Sequence, residues 1–396
     1  VRSAATRLWW KWFPLGGSFA WLQLRSDPLR FAAAVAGIAF AAVMVTFQLG
    51  LYEALTEGAV IVHRSLRGDL MMISRQYEFI AINEGFTERR LEQARALPEV
   101  ASVAALDVAT GKWRNPVDGR FQTIVVFGIR PGEAPFALPE LEASASALLR
   151  EGAGFFDRTS RPSYGHVTQL FEARGPFVTE LNRQHIRIEG LFTLGTTLAV
   201  DANLVVGERT FHLIFPQIPQ GFINVGLIRL RPGADRVAVR DRLVAFLPPD
   251  VKVLTPDEFA QVEKDYWTGK TPIGFVINAG LIVGLVVGAV IVYQILYTDV
   301  TEHLPEYATL KAMGYDDRFF ARLVAGQALI LTVLGYVPGV IASFGVFRLM
   351  SAMSSLNPKA TPATLAIVFV LIAGMCAVAG GFATRKLRQA RPAEIF

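Results

Sequence analysis

Four runs of about twenty apolar residues punctuate the chain, roughly at Phe31 to Leu51, Ile273 to Leu296, Leu323 to Phe347 and Leu365 to Thr384. At about 1.5 Å rise per helical residue, each is long enough to cross a hydrocarbon core about 30 Å thick. They predict four membrane-spanning helices. Between the first and second runs the pattern changes to short apolar stretches rich in β-branched residues, such as Leu70 to Ile73, Phe121 to Ile129 and Ile186 to Phe192, broken by Gly and Pro. Strand-like Phe222 to Arg231, an amphipathic helix near Asp235 to Leu247, strand-like Val251 to Leu254 and a helix near Asp257 to Trp267 complete this region. The expected architecture is a membrane protein with four transmembrane α-helices and a large mixed α+β extracytoplasmic domain between the first and second spans.

The same pattern sets boundaries. Residues 1–30 are expected to form a cytoplasmic or interfacial N-terminal helix, 31–52 the first span and 53–270 the outer domain. The second span is expected over 271–297, a cytoplasmic coupling helix over 298–320, and the third span over 321–348. A short periplasmic loop, 349–363, leads to the fourth span, 364–384, and a cytoplasmic C-terminus, 385–396. The outer domain is longer than a typical module, and its Pro-rich stretch around Pro131 to Pro139 predicts two subdomains, about 60–130 with 220–270, and 131–219.

Composition agrees with a membrane protein: of 396 residues 52% are hydrophobic and only 18% charged. The net charge of +5 matters through its placement. Arg2, Arg7, Lys11, Arg25 and Arg30 precede the first span, and Arg385, Lys386, Arg388 and Arg391 follow the last, which places both termini in the cytoplasm. The outer domain, with roughly 25 basic and 27 acidic residues, shows no such bias. The first apolar run begins after about thirty residues, so it reads as a retained anchor rather than a cleaved signal. Trp9, Trp10, Trp12, Phe13, Phe19 and Trp21, interleaved with basic residues before it, suit a helix lying at the headgroup level.

Several kinds of chemistry are excluded. Gly269, Lys270 and Thr271 resemble the end of a phosphate-binding P-loop, but the position six residues before the lysine, where glycine is required, is Lys264, and Pro272 follows, so a turn into the second span is expected. The histidines His63, His166, His185, His212 and His303 show no metal-ligand spacing, no G-x-S-x-G elbow is present, and the single cysteine, Cys376, has no partner in the chain. The chain is therefore expected to be non-catalytic, with no cofactor bound by itself and no nucleic-acid partner. Asp157, Arg158, Ser160, Arg161 and Tyr164 form a polar cluster, read either as a turn held by local hydrogen bonds or as a contact for an adaptor or substrate.

Small residues recur every four positions at Ala33, Gly37 and Ala41 in the first span and at Gly280, Gly284 and Gly288 in the second, which predicts close helix packing or dimerisation. Gly335 and Gly339 repeat the spacing around Pro338, where a kink is expected. Few charges fall within the spans, and Gln48 and Asn278 stand out as polar exceptions, so an ion or proton relay is not expected.

After the second span, Asp299 to Phe320 begins acidic, has Pro305 near a helix start and ends its helical run at Gly314, placed as a C-cap. Leu304, Tyr307, Leu310 and Met313 fall at helical spacing and offer an apolar face, either to a partner's groove or as a simple interfacial connector.

This segment resembles the coupling region of FtsX-like and MacB-like ABC transporter permeases, in which an acidic stretch with a Pro-Glu-Tyr core leads to a Lys-Ala-Met-Gly end. The DevC type is similar over essentially the whole chain. The similarity rests on Trp21-Leu22-Gln23-Leu24, Phe47-Gln48-Leu49-Gly50, His63-Arg64-Ser65-Leu66 with Asp69-Leu70, and Trp113 with Asn115-Pro116. It continues in Phe156-Asp157-Arg158 with Ser160-Arg161-Pro162 and Tyr164-Gly165, Leu191-Phe192-Thr193-Leu194-Gly195, and the ending Arg391-Pro392-Ala393-Glu394. Ala202 before Asn203 departs from the glycine expected there.

The resemblance implies a homodimer in the bacterial inner membrane, among membrane lipids, paired with a separate ATP-binding subunit that carries ATP and Mg. Contact with that subunit is implied through Glu302, His303, Leu304, Pro305, Glu306, Tyr307, Leu310, Lys311, Met313 and Gly314. It further implies a periplasmic membrane-fusion adaptor and, through it, an outer-membrane channel, with ATP-driven motion transmitted to the outer domain to export a lipophilic cargo such as a glycolipid. The alternative is an FtsX-like regulator that transports nothing and activates a cell-wall hydrolase.

Overall fold

The computed structural model describes residues 21–389 except 23, 24, 26, 131, 144, 196, 199 and 354–357, with the backbone alone at 308, 311, 312, 317, 353 and 385–389. The interfacial helix expected before the first span, with its tryptophans at 9, 10 and 12, and the ending from Arg391 lie outside the described residues. Trp21 is described, and its ring meets Phe31 edge-on at 5.9 Å.

In chain order the elements are α1 (Pro28–Ala59), α2 (Ile61–Ser65), β1 (Leu70–Ser74), β2 (Phe86–Thr87), α3 (Arg89–Arg95), β3 (Val100–Arg114) and β4 (Phe121–Ile129). Then come α4 (Pro139–Ala143), β5 (Ala153–Asp157), α5 (Val167–Arg174), β6 (Phe177–Leu181), β7 (Gln184–Phe192), β8 (Asn203–Gly207) and α6 (Glu208–Ile214). The chain continues through β9 (Phe222–Ile223), β10 (Val225–Leu230), α7 (Arg236–Phe246), β11 (Val251–Leu254) and α8 (Pro256–Asp265). It closes with α9 (Pro272–Glu302), α10 (Leu304–Ala312), α11 (Asp317–Met353) and α12 (Pro362–Gln389). Two compact units result, Val1–Ala54 with Gly274–Phe396, and Leu55–Ile273.

The outer unit is built on one nine-stranded sheet in the order β11-β1-β10-β3-β4-β8-β5-β7-β6. β6 also pairs with β3, through Trp113 opposite Leu181 and Arg114 opposite Glu180, so the strands from β3 to β6 close on themselves. β3 thus serves twice. Its first half, Val100 to Leu106, pairs with β10 in the open part of the sheet, and its last residues close the ring. The segments expected as two subdomains occupy the two ends of this single sheet, joined where β4 runs parallel to β8.

Local chemistry accounts for the element ends. Thr255 and Glu258 form a reciprocal capping box on α8, with Pro256 in its first turn, and Asp235 caps α7 through Val237 N and Ala238 N. The β6–β7 hairpin turns through Asn182 and Arg183, both at positive φ, the pattern of a type I′ turn. From Ile124 onward β4 is buried on both faces, as is β8. Their residues divide between a core holding Val125, Phe127 and Val205 and a second core holding Ile124, Val126, Leu204 and Val206.

The Pro-rich stretch is not a free boundary: Ala137 N donates to Ser65 O, Arg67 N donates to Pro135 O, and Phe136 is buried against Phe127. An apolar Phe at its centre ties it into the core. Ala202, where the family resemblance led us to expect glycine, is buried and accepts Val125 N at its carbonyl, so the turn accommodates the extra methyl.

Among the described residues four helices are long and apolar enough to span a membrane: Pro28–Ala59, Pro272–Glu302, Arg318–Ala352 and Pro362–Thr384. Each extends past its apolar run, as polar residues continue the helix at the ends. Thr298 and Thr301, for example, donate their hydroxyls to Gln294 O and Tyr297 O. The second span therefore runs to Glu302 rather than ending near 297, and the coupling helix is the shorter Leu304–Ala312.

The small-residue stripe packs helices within one chain. A methyl on Gly37 would meet Ile291, one on Gly284 would meet Met44, and one on Gly288 would lie 2.6 Å from both Ala41 Cβ and Met375 Sδ. Gly280 lies against Gln48, and Ala33 is exposed. α11 continues through Pro338, where Gly339 lets the backbone of Ala39 approach.

Candidate functional site

The turn between the second and third spans is the most constructed polar site of the membrane unit. α9 ends with Asp299 and Glu302, whose side chains face different partners. Asp299 Oδ2 accepts Gln327 Nε2 of α11 at 2.8 Å, and Glu302 pairs with Arg30 at the start of α1. Arg30 also pairs with Asp27 at 2.9 Å. His303 continues the chain, with its Nδ1 2.9 Å from Asp299 O. Gln327 was missed as a polar exception because it lies inside an apolar run, and Asp299 was assigned to the segment beyond the helix. Gln327 is buried at this pairing and Asp299 half-buried.

α10 starts with Pro305 in its first turn, where its missing N–H costs nothing, and the hydroxyl of Thr309 donates to Pro305 O. It stops at Gly314, φ +96°, with Tyr315 N donating to Leu310 O at 3.2 Å. That is the six-to-one bond of a glycine C-cap. The apolar stripe, open in sequence between a partner's groove and an interfacial connector, divides in the structure. Tyr307 is 2% exposed and packs edge-on against Phe320 of α11 at 5.4 Å, and Leu310 packs against the same core. Leu304 is half-buried, whereas Met313 is 64% and Tyr315 46% exposed. The outward surface consists of Glu302, Pro305, Glu306, Thr309, Met313, Gly314, Tyr315 and Asp316. Of Lys311 only the backbone is described.

The exposed surface carries Glu306 on a helix anchored by the Tyr307–Phe320 pair, with Met313 and Asp316 just after it. α10 meets α11 through Tyr307 and Phe320, and the end of α9 meets the start of α1 through Glu302 and Arg30.

The outer polar cluster is organised differently. Asp157 is fully buried, and its carboxylate accepts Thr159 N and Oγ1, Leu194 N, Gly195 N and Asn203 Nδ2, at 2.7 to 3.3 Å. Arg158 pairs with Glu172 and Arg161 with Asp201, both at the surface. Tyr164 donates its hydroxyl to Thr123 O, its carbonyl accepts Trp113 Nε1, and burial pushes its phenol up to about 12. These residues brace strands, and their side chains do not converge on one opening.

Sequence reading missed two further polar groups. His63 Nε2 lies 3.3 Å from both Tyr77 OH and Glu263 Oε2, and Glu263 also accepts Ile80 N and Trp267 Nε1. Burial raises the Tyr77 phenol well above its usual range, reinforced by Glu263. This network ties α2 to α8, two elements about 200 residues apart, and no local spacing marks it. Asp107 is likewise buried, with Oδ1 unpartnered. Burial, opposed by Arg130 and aided by Glu208, Glu88 and Glu133, pushes its carboxyl up to about 7.

Among the described residues no three His, Cys, Asp or Glu side chains are placed to hold a metal. The P-loop look-alike Gly269-Lys270-Thr271 forms the end of a π-helical turn, with Lys270 over the Tyr266 ring.

Residues 278–392, from within α9 through α10, α11 and into the C-terminal residues, match the family described as FtsX-like permease C-terminal. No curated protein matches the chain. Among solved structures, the periplasmic region of MacB from Actinobacillus actinomycetemcomitans is similar at 12% identity and TM-score 0.36, over 50% of this chain and 94% of that one. The extracellular domain of the ABC-type transporter YknZ from Gram-positive bacteria is similar at 15% identity and TM-score 0.33, over 48% and 99% respectively. The chain is a multi-pass membrane protein whose last three spans are similar to those of FtsX-like permeases.

Proposed function

We propose that this chain is the permease subunit of a tripartite ABC exporter of the FtsX-like and MacB-like superfamily, DevC type. In this reading it works as a homodimer in the bacterial inner membrane with both termini in the cytoplasm. A separate ATP-binding subunit holds ATP and Mg and docks on α10. The observation that carries the reading is the division of α10 into a packed face, buried Tyr307 with half-buried Leu310, and an exposed face that carries Glu306 and ends at Met313. The match of residues 278–392 to the FtsX-like permease family supports it.

The proposed motion follows from these contacts. Closure of the two ATP-binding subunits displaces α10, and the Tyr307–Phe320 contact carries that displacement to α11, while the Arg30–Glu302 and Gln327–Asp299 pairs carry it to α1 and α9. Such coupling requires that the two states differ in their contacts with the nucleotide-bound partner. The outer domain then acts on a lipophilic cargo, a glycolipid by resemblance, and passes it through a periplasmic adaptor towards an outer-membrane channel.

Coexpression of the chain with its ATP-binding subunit, the adaptor and a cell-wall hydrolase tests this reading. We expect the ATP-binding subunit and adaptor to copurify with it from membranes. Copurification of the hydrolase in place of the adaptor would overturn export in favour of the regulator.

A further inference from the structure

β3 is fifteen residues long, but its partners on the edge away from β4 leave a gap. Pairing with β10 ends at Leu106 opposite Val225, and pairing with β6 covers only Trp113 and Arg114. Backbone parity shows what faces the gap. Val125 N of β4 donates away from β3, to Ala202 O, so Thr110, opposite Val125, turns its own N–H and C=O to the other edge. The same parity is visible at both ends of the gap: Val108 N donates to Asn224 Oδ1, Lys112 N donates to Asn182 Oδ1, and Asn182 N donates to Lys112 O. Two asparagine side chains thus cap the edge where β10 stops and where the chain turns from β6 into β7. Between them, Val108 O and the N–H and C=O of Thr110 have no partner among the described residues. Thr110 is exposed.

The gap spans about 13 Å of strand, room for a segment of three or four residues. It opens on a groove of about 500 Å³ whose walls include Ile82, Ile218, Pro219 and Phe222, with Asn83 and Asn224 at its polar end. Ile82 is 62% and Phe222 38% exposed. Residues 108–111 carry none of the devices that blunt a sheet edge, having no proline and no charged side chain. Alternating backbone donors and acceptors at strand spacing, beside apolar walls, match the chemistry of an extended polypeptide.

We propose that this edge is a strand-addition site that takes an extended segment of the periplasmic adaptor, with an apolar side chain seated against Ile82 and Phe222. The inference rests on the exporter reading and adds the place and mode of contact.

The test uses the full chain in nanodiscs and the purified adaptor. Thr110→Pro removes the donor without breaking a bond inside the sheet, because that N–H faces outwards, and Thr110→Val keeps it. We expect Thr110→Pro to weaken adaptor binding at least tenfold and Thr110→Val to change it less than twofold. Independently of any variant, hydrogen exchange at the Thr110 amide of the unaltered chain should slow when the adaptor is added. Undiminished binding by Thr110→Pro, with unchanged exchange, overturns the strand-addition site and leaves the exporter reading standing. Failure of the unaltered chain to bind the adaptor overturns both. Slowed exchange with phospholipid vesicles alone would assign the groove to lipid and overturn the peptide.

Discussion

Two polar regions, each open in sequence to a structural or a partner-binding reading, are built in opposite ways. At the outer loop, Asp157 is sealed from solvent with five donors on its carboxylate, whereas in the coupling segment Glu306 stands exposed on a helix whose neighbour Tyr307 is the buried anchor. A carboxylate whose acceptor capacity is already filled by its own chain is part of the fold. One left open on a rigid helix is available to a partner. The contrast separates residues whose loss should unfold the protein from residues whose loss should only uncouple it.

The largest expected effect is at Asp157. Asp157→Ala strands five donors, two of them in fully buried bonds, and should destabilise the outer unit by on the order of 3–5 kcal/mol, measured by chemical denaturation of the purified chain. A loss near zero, with adaptor binding abolished, would turn the comparison around. Next is Tyr307→Ala, which empties the contact with Phe320 and should cost roughly 2–4 kcal/mol, seen as faster amide exchange through α10. Gly288→Val forces a side chain into Ala41 and Met375 and should cost about 1–3 kcal/mol through overpacking, lowering the midpoint of thermal unfolding in detergent.

Asp107 sharpens the comparison, because it is buried without the donors that Asp157 enjoys. Its carboxyl, ordinarily near 3.8, stays protonated in the folded chain up to about 7. Below about pH 4 it is protonated in both states and contributes nothing to pH dependence. Between the two values the unfolded chain releases the proton that the folded chain retains, so stability falls as pH rises towards 7 and levels off above it. Asp107→Asn should remove that fall, raising stability at pH 8 and leaving it nearly unchanged at pH 4. Melting curves at the two pH values check it.

Sequence pattern alone carried much of this architecture. The four apolar runs, the strands at Phe121 to Ile129 and Val251 to Leu254, and the glycine stop at Gly314 all follow from periodicity and cap chemistry. The closure of β3 onto β6 did not, because two residue pairs between distant strands leave no local mark. Nor did the facing of α10. Tyr307, Leu310 and Met313 share a helical spacing, but whether a stripe meets its own bundle or a partner depends on α11, which supplies Phe320. Small-residue spacing in the first two spans leaves open which helix is approached, and only packing shows that Gly37, Gly284 and Gly288 meet side chains of the same chain.

The most direct test of the central claim is copurification of the ATP-binding subunit with Glu306→Lys, beside the unaltered chain. An exposed substitution on α10 should change stability by less than about 0.5 kcal/mol, so membrane insertion and amide exchange of α10 should be unaltered while the partner is lost. Undiminished copurification of the partner would contradict the assignment of this helix as the coupling surface.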